Sequence, residues 1–245
     1  MGSADTAIES LPLRAANEVF SDGDRVVVVA PHPDDETLGC GGAIALLQQR
    51  AIPVHILVVS DGTQSHPHST LYPATKLRAL REKETCAAAQ TLGLSPTAVT
   101  FLRWPDTAVP HPGDPDFPAV VGDCRRYLLH HLPTLLFVPW QHDRHCDHRA
   151  AWKIMQHCLS SYPQPLQQFV YSIWGSPSAG LPALPSGETG WRLDISAVES
   201  LKRQAAMAHQ SQTTNLIADD PMGFRLTPTM LNNLIQPWET YLEVT

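Results

Sequence analysis

The sequence predicts an α/β fold in which a mostly parallel sheet carries helices on both faces of a single domain. Three observations predict it. Short β-branched or apolar runs recur along the chain, segments with helical spacing separate them, and turn formers close each run. Strands alternating with helices of this length imply right-handed crossovers and parallel pairing.

The elements follow in order. Residues 25–30 (Arg-Val-Val-Val-Val-Ala) end at Pro31 and read as a strand buried on both faces. A helix is expected over 38–49, and a second buried strand over 53–60 closes at Asp61-Gly62. Residues 65–73 are polar and irregular. The clearest helix covers 75–92, rich in Ala, Leu, Lys, Arg and Glu, with Gly93 at the capping position. A third strand is expected over 98–103, a loop over 106–118 and a helix over 119–131. The fourth strand is 134–139, followed by a helix over 148–160 and a fifth strand over 168–174. A Pro/Gly-rich loop over 176–190 and a helix over 195–209 complete the legible elements. No repeat or linker divides the chain, so 1–245 is expected to be one domain, with its core over 25–212 and a C-terminal extension over 213–245.

Composition narrows the class. The chain is 43% apolar and 17% charged, enough to fill one sizeable core. A net charge of −7 argues against a nucleic-acid partner. No window supplies the roughly 20 apolar residues of a membrane span. The first residues carry Asp5 and Glu9 and do not read as a secretory signal. Five widely spaced cysteines without a C-x-x-C pair fit reduced thiols, and with them a cytoplasmic protein.

Two clusters carry chemistry, each just beyond the C-terminal end of a buried strand. One is Pro31-His32-Pro33-Asp34-Asp35-Glu36; the other is His142-Asp143-Arg144-His145-Cys146-Asp147-His148. In doubly wound sheets, ligands bind outside the strand C-termini where the strand order reverses. If the fourth strand lies beside the first, the two clusters face each other there. His32, Asp35 and His148 have the residue types of a three-ligand catalytic zinc site, one ion per chain. Asp34 then has no ligand duty and can accept the proton of an attacking water. The same residues also have a plain structural explanation. Adjacent acids before a helix stabilise its N-terminus, and a histidine after a strand is usually packed or solvated. Gly39-Cys-Gly-Gly42 lacks the G-x-G-x-x-G spacing of a dinucleotide site.

At these residues the sequence resembles the LmbE-like/PIG-L deacetylase family. Ala30-Pro-His-Pro-Asp-Asp-Glu36 matches the first family signature, and Asp143-Arg-His-Cys-Asp-His148 the second, with Cys146 where proline is usual. Weaker matches are Ser60-Asp-Gly62, Arg81 with Glu84, Leu102-Arg-Trp-Pro-Asp106, Lys202 and His209-Gln-Ser-Gln212. The resemblance implies a Rossmann-like fold and zinc held by His32, Asp35 and His148, with Asp34 as general base. It implies that His145, oriented by Asp147, stabilises the oxyanion or protonates the leaving amine. Arg81 and Asp106 become candidate substrate contacts, although a helix-surface charge and a turn former are equally open for them. Trp104, Trp140 and Trp174 are open to sugar stacking or to core packing. His66, His68, His130 and His131 are expected at the surface.

The function implied is zinc-dependent removal of an N-acetyl group from an amino sugar or a sugar-containing small molecule. The runner-up is a zinc hydrolase of another amide or ester. A non-catalytic binding module is disfavoured by the intact Asp34, and a nucleotide or electron-transfer enzyme by the missing glycine fingerprint. The partner is a small N-acetylated molecule, and a homo-oligomer stays open.

Overall fold

The computed structural model describes residues 6–174, 183–184 and 189–243, so most of the expected 176–190 loop lies outside the described residues. The strands are β1 (Thr6–Ala7), β2 (Leu13–Arg14), β3 (Val26–Ala30), β4 (Val54–Ser60) and β5 (Val99–Trp104). They continue with β6 (Leu135–Pro139), β7 (Gln167–Tyr171), β8 (Ala183–Leu184), β9 (Gly190–Asp194) and β10 (Trp238–Leu242). The helices are α1 (Ala16–Val19), α2 (Asp35–Gln49), α3 (Ala74–Thr91) and α4 (Phe117–His131). After them come α5 (Cys146–Leu159), α6 (Glu199–Ala208), α7 (Gln210–Thr213) and α8 (Pro228–Leu234).

One eight-stranded sheet has the order β2-β9-β10-β7-β6-β3-β4-β5, and β1 pairs with β8 separately. From β7 to β5 every neighbouring pair is parallel, while β10 runs antiparallel to both β7 and β9. The strand order reverses between β3 and β6, which pair in register from Val26 opposite Leu135. The two chemical clusters are therefore neighbours, as the sequence argument required. Among the described residues no helix is long and apolar enough to cross a membrane.

Strand periodicity explains the layers. Side chains alternate across a sheet, so a strand with no polar position must bury both faces. Val26, Val28 and Ala30 of β3 pack with residues of α2, α3 and α6, whereas Val27 and Val29 pack with those of α4 and α5. All five residues of β3 have no exposed surface.

Helix starts differ from expectation in an informative way. Helix α2 begins at Asp35 and α5 at Cys146, earlier than the apolar periodicity alone indicates. In each case the chemical cluster forms the first helical turn. Pro118 falls in the first turn of α4, where its missing N–H has no partner to lose. Gly93 follows α3 with φ +94°, the left-handed cap expected.

The glycines of α2 let the helix approach the sheet. A Cβ on Gly39 would lie 2.4 Å from the Tyr171 ring, and one on Gly42 would lie 2.6 Å from Ile195. Their role is close packing, not a phosphate cradle.

The described part of the expected extension, residues 213–243, is woven into the fold. It supplies α8, and its β10 lies inside the sheet, between β9 and β7. Short, half-polar strands such as β9 and β10 carry little periodic signal, and none of β2, β9 or β10 stands out in the sequence.

Candidate active site

The turn from β3 into α2 is sharp. Asp34 has φ +151° and ψ −24°, a conformation L-residues rarely adopt. Its N–H donates to the His32 carbonyl and to Glu36 Oε2, both at 3.0 Å. The turn brings His32, Asp34 and Asp35 to the rim of one cavity of about 400 Å³.

Asp35 lies between two imidazoles. Its Oδ2 is 3.2 Å from His32 Nδ1 and 3.1 Å from His148 Nε2, and it also accepts the His32 backbone N–H at 2.9 Å. Burial pushes the Asp35 carboxyl up, but His148 and His32 overcome this and hold it far below the carboxylate range. His148 is fully buried, and burial lowers its pKa. Asp35 and Asp143 outweigh that and bring it to about 9. Despite these short approaches, neither ring nitrogen of His148 meets a partner with hydrogen-bond alignment.

His32 turns its other nitrogen toward two more carboxylates. Nε2 lies 3.0 Å from Asp147 Oδ2 and 3.2 Å from Asp106 Oδ1. Burial opposes the charged ring, yet Asp106, Asp147 and Asp35 raise its pKa well above the ordinary value. Asp106 also accepts the Gln64 N–H at 2.8 Å. Burial raises the Asp106 pKa, but His32 and then Arg81 hold it at about 2.

The pairing expected between Asp147 and His145 is not what the structure shows. The Asp147 carboxylate faces His32 and accepts the backbone N–H groups of Thr107 (2.7 Å) and Val109 (3.3 Å). Those two donors sit on a loop some 40 residues away in sequence, where spacing arguments do not reach. His145 caps α5 instead, its Nδ1 accepting the Asp147 N–H at 3.2 Å. Burial and the neighbouring His32 and His148 lower the His145 pKa, the opposite of the rise expected from a carboxylate partner.

Arg81, from α3, is buried; its two terminal nitrogens donate to the protein, while Nε meets no partner among the described residues. Nη1 donates to the Gly62 carbonyl (2.8 Å), and Nη2 to the Pro33 carbonyl (2.7 Å) and Asp34 Oδ2 (3.1 Å). Burial raises the Asp34 carboxyl to about 6, against the pull of Arg81 and with the push of Asp35.

Among the described residues, two groupings of side chains could hold an ion. His32, His145 and His148 form one, and His32, Asp106, His145 and Asp147 the other. Cys146 belongs to neither. Its Sγ lies 3.7 Å from the Thr107 carbonyl and 3.6 Å from Asp147 Oδ1. Sequence reasoning missed Asp143, whose buried carboxylate accepts N–H groups from His145, Ile173 and Trp174 and so ties the end of β6 to that of β7. It named Arg144 and Gln212 only within motifs, without a role, and missed Gln64, Ser65, Thr107 and Phe224 on the cavity wall. Trp174 reaches that wall, while Trp140 packs in the core. His66 is buried, not superficial, with its ring against Gly223.

A doubly wound sheet with a buried His–Asp cluster at its switch point defines a class, the α/β proteins whose cleft can hold one ion against a small ligand. The family is narrower. The model of the PIG-L family, GlcNAc-PI de-N-acetylase, matches residues 27–159, over half of the chain, and the protein belongs to that family. Among relatives, it is 26% identical over 202 residues to diacetylchitobiose deacetylase of Thermococcus kodakarensis, covering 80% of this chain and 73% of that one. It is 25% identical over 200 residues to the probable N-acetyl-alpha-D-glucosaminyl L-malate deacetylase 2 of Bacillus subtilis, covering 80% and 86%. The fold is that of N,N'-diacetylchitobiose deacetylase from Pyrococcus horikoshii, with a TM-score of 0.65 at 22% identity over 80% of this chain and 73% of that one.

Proposed function

We propose that the protein is a zinc-dependent N-deacetylase acting on an N-acetylated amino sugar or its small-molecule conjugate. The observation that carries this reading is the His32–Asp35–His148 arrangement beside Asp34. One oxygen of the buried Asp35 lies 3.2 Å from His32 Nδ1 and 3.1 Å from His148 Nε2, yet His148 has no aligned partner. Unmet imidazole nitrogens at that depth are destabilising unless something else receives them. Two histidines and a carboxylate are the donor set of a catalytic zinc site, so the residues fit the metal. His32, Asp35 and His148 would hold it, and Asp143 would orient His148 from its far side. The metal, when bound, supplies Lewis acidity toward a carbonyl and toward water.

The chain's own residues then divide the work. Asp34 accepts the proton of the attacking water. Its strained turn and the Arg81 bond to Oδ2 fix where that proton goes. His145 Nδ1 is occupied by the Asp147 N–H, so the neutral ring carries its proton on Nε2. That N–H is the hydrogen-bond donor for the developing oxyanion, and the departing amine takes the proton that Asp34 received from the water. Asp147 and Asp106 position His32, and Arg81 positions Asp34. Contact of Arg81 and Asp106 with substrate hydroxyls is a further part of the reading, supported by their place on the cavity wall.

The test is a panel of N-acetylated sugars and glycosides assayed for free amine with the zinc-loaded protein, with a generic ester alongside. Amine release, lost on chelation and restored by zinc, is the expected result. Turnover of the ester with no amine from any N-acetyl sugar would favour a different hydrolase.

A further inference from the structure

The cavity wall carries a polar group that the mechanism leaves unused. Helix α7 places Ser211 and Gln212 in the interior, both with no exposed surface. Ser211 donates twice to Glu84, from N at 2.7 Å and from Oγ at 2.6 Å. A carboxylate only accepts, and a serine hydroxyl has one proton to give. Ser211 Oγ must therefore accept at its remaining contact, 2.9 Å from the Gln212 side-chain amide. Only an N–H₂ can donate there, so the amide has one orientation. Its Nε2 also points toward Ser65 Oγ, at 3.4 Å. The Gln212 carbonyl, Oε1, is left buried with no hydrogen-bond partner among the described residues.

Gln212 lines the same cavity as Asp34 and His145. It is linked to His32 through Asp106, the Gln64 N–H and Ser65. An amide held in one orientation, with its acceptor unmet in a residue that lines a ligand cavity, has the features of a recognition group.

We infer that Gln212 Oε1 accepts a hydroxyl of the substrate's sugar ring, remote from the acetamido group, and so sets specificity. Ser211 and Glu84 act as positioning residues that forbid the amide to turn. This rests on the amino-sugar reading above, and the experiment separates the two.

The probes are the methyl glycoside of N-acetylglucosamine and its 3-, 4- and 6-deoxy analogues. Binding is followed by ligand-observed NMR and turnover by amine release. The wild-type protein should disfavour one deoxy analogue by on the order of tenfold in both readouts. Gln212→Met, of similar size but without the amide, should lose that preference, with the change in KM and not in kcat. Ser211→Ala, which frees the amide to turn, should lose part of it. A wild-type protein indifferent to all three deletions would overturn the inference without any variant. Amine release with the same preference in Gln212→Met would overturn it and leave the deacetylase intact. A Gln212-dependent preference in binding without amine release would keep the acceptor and sink the reaction. Absence of both binding and release would remove both.

Discussion

Helix α2 is served by two buried charged clusters, and they are built on opposite principles. At its middle, Glu239 meets a complete set of donors. Oε1 accepts the Gly42 N–H and Lys202 Nζ, each at 2.7 Å, while Oε2 accepts the Ala43 N–H and the Tyr241 hydroxyl, each at 2.8 Å. At its N-terminus, Asp35, Asp106 and Asp147 crowd around His32, and His148 holds two nitrogens with no aligned partner. Both clusters remove charge from water, which is costly unless every group is matched. The matched cluster stabilises the fold. The mismatched one is tolerable only if something outside the chain completes it, and that separates a structural ion pair from a site.

Breaking this contrast should have its largest effect at Asp34. Asp34→Asn should keep the metal and lose about 10²–10⁴-fold in turnover, because the proton acceptor is gone. Asp35→Asn and His148→Ala should instead lose metal, read by metal content after dialysis. Equal metal loss in all three would dissolve the division of labour between the two adjacent carboxylates.

The next effect belongs to the matched cluster. Lys202→Met leaves Glu239 buried without its cation and should cost about 3–5 kcal/mol in urea unfolding. Adding Glu239→Gln should recover much of that loss. If Lys202→Met were no more destabilising than His148→Ala in metal-free protein, the distinction between matched and unmatched charge would fail.

A pH comparison sharpens it further. Burial raises the folded Asp34 pKa from 3.8 to about 6, so the base is available above that pH and turnover should fall as pH drops through it. The stability linked to the same group has the opposite sign. It is fully present below 3.8 and lost as pH rises through about 6. Metal-free Asp34→Asn should therefore gain on the wild type in urea midpoint between pH 4 and 7, and parallel midpoints would remove Asp34 as the cause.

The smallest effect serves as a control. His55, His130 and His131 cluster with Tyr127 and have no acid among their ring contacts. Burial, then His55 and His130, lower the His131 pKa from 6.5 to about 4. Its contribution to stability is present above 6.5 and lost as pH falls through about 4. His131→Phe should flatten the stability profile over that window. An unchanged slope would mean that the ring cluster carries none of it.

Much of this was legible in the sequence, for physical reasons that also mark its limit. Strands buried on both faces, such as β3 and β6, have to be written as unbroken apolar runs, and the chemistry at their ends follows from sheet topology. Asp147 shows where that stops. Its partners are His32, more than 100 residues away, and the backbone of the Thr107–Val109 loop, which no motif announces. Gln212 shows it again, since its orientation is decided by Glu84 through Ser211. β10 escapes for a third reason. Its buried Glu239 makes the strand read as polar unless Lys202 and the helix N–H groups are already known.

The place of β10 bears on how the chain reaches this state. The parallel half, from β7 to β5, can pair as soon as residue 171 is available, but β9 joins the sheet only through β10, which comes near residue 240. Until then the Gly42 and Ala43 N–H groups and the Lys202 ammonium lack the carboxylate that receives them. Such long-range closures slow folding. The antiparallel edge should therefore form last, on a parallel core already carrying the two turns of the candidate site.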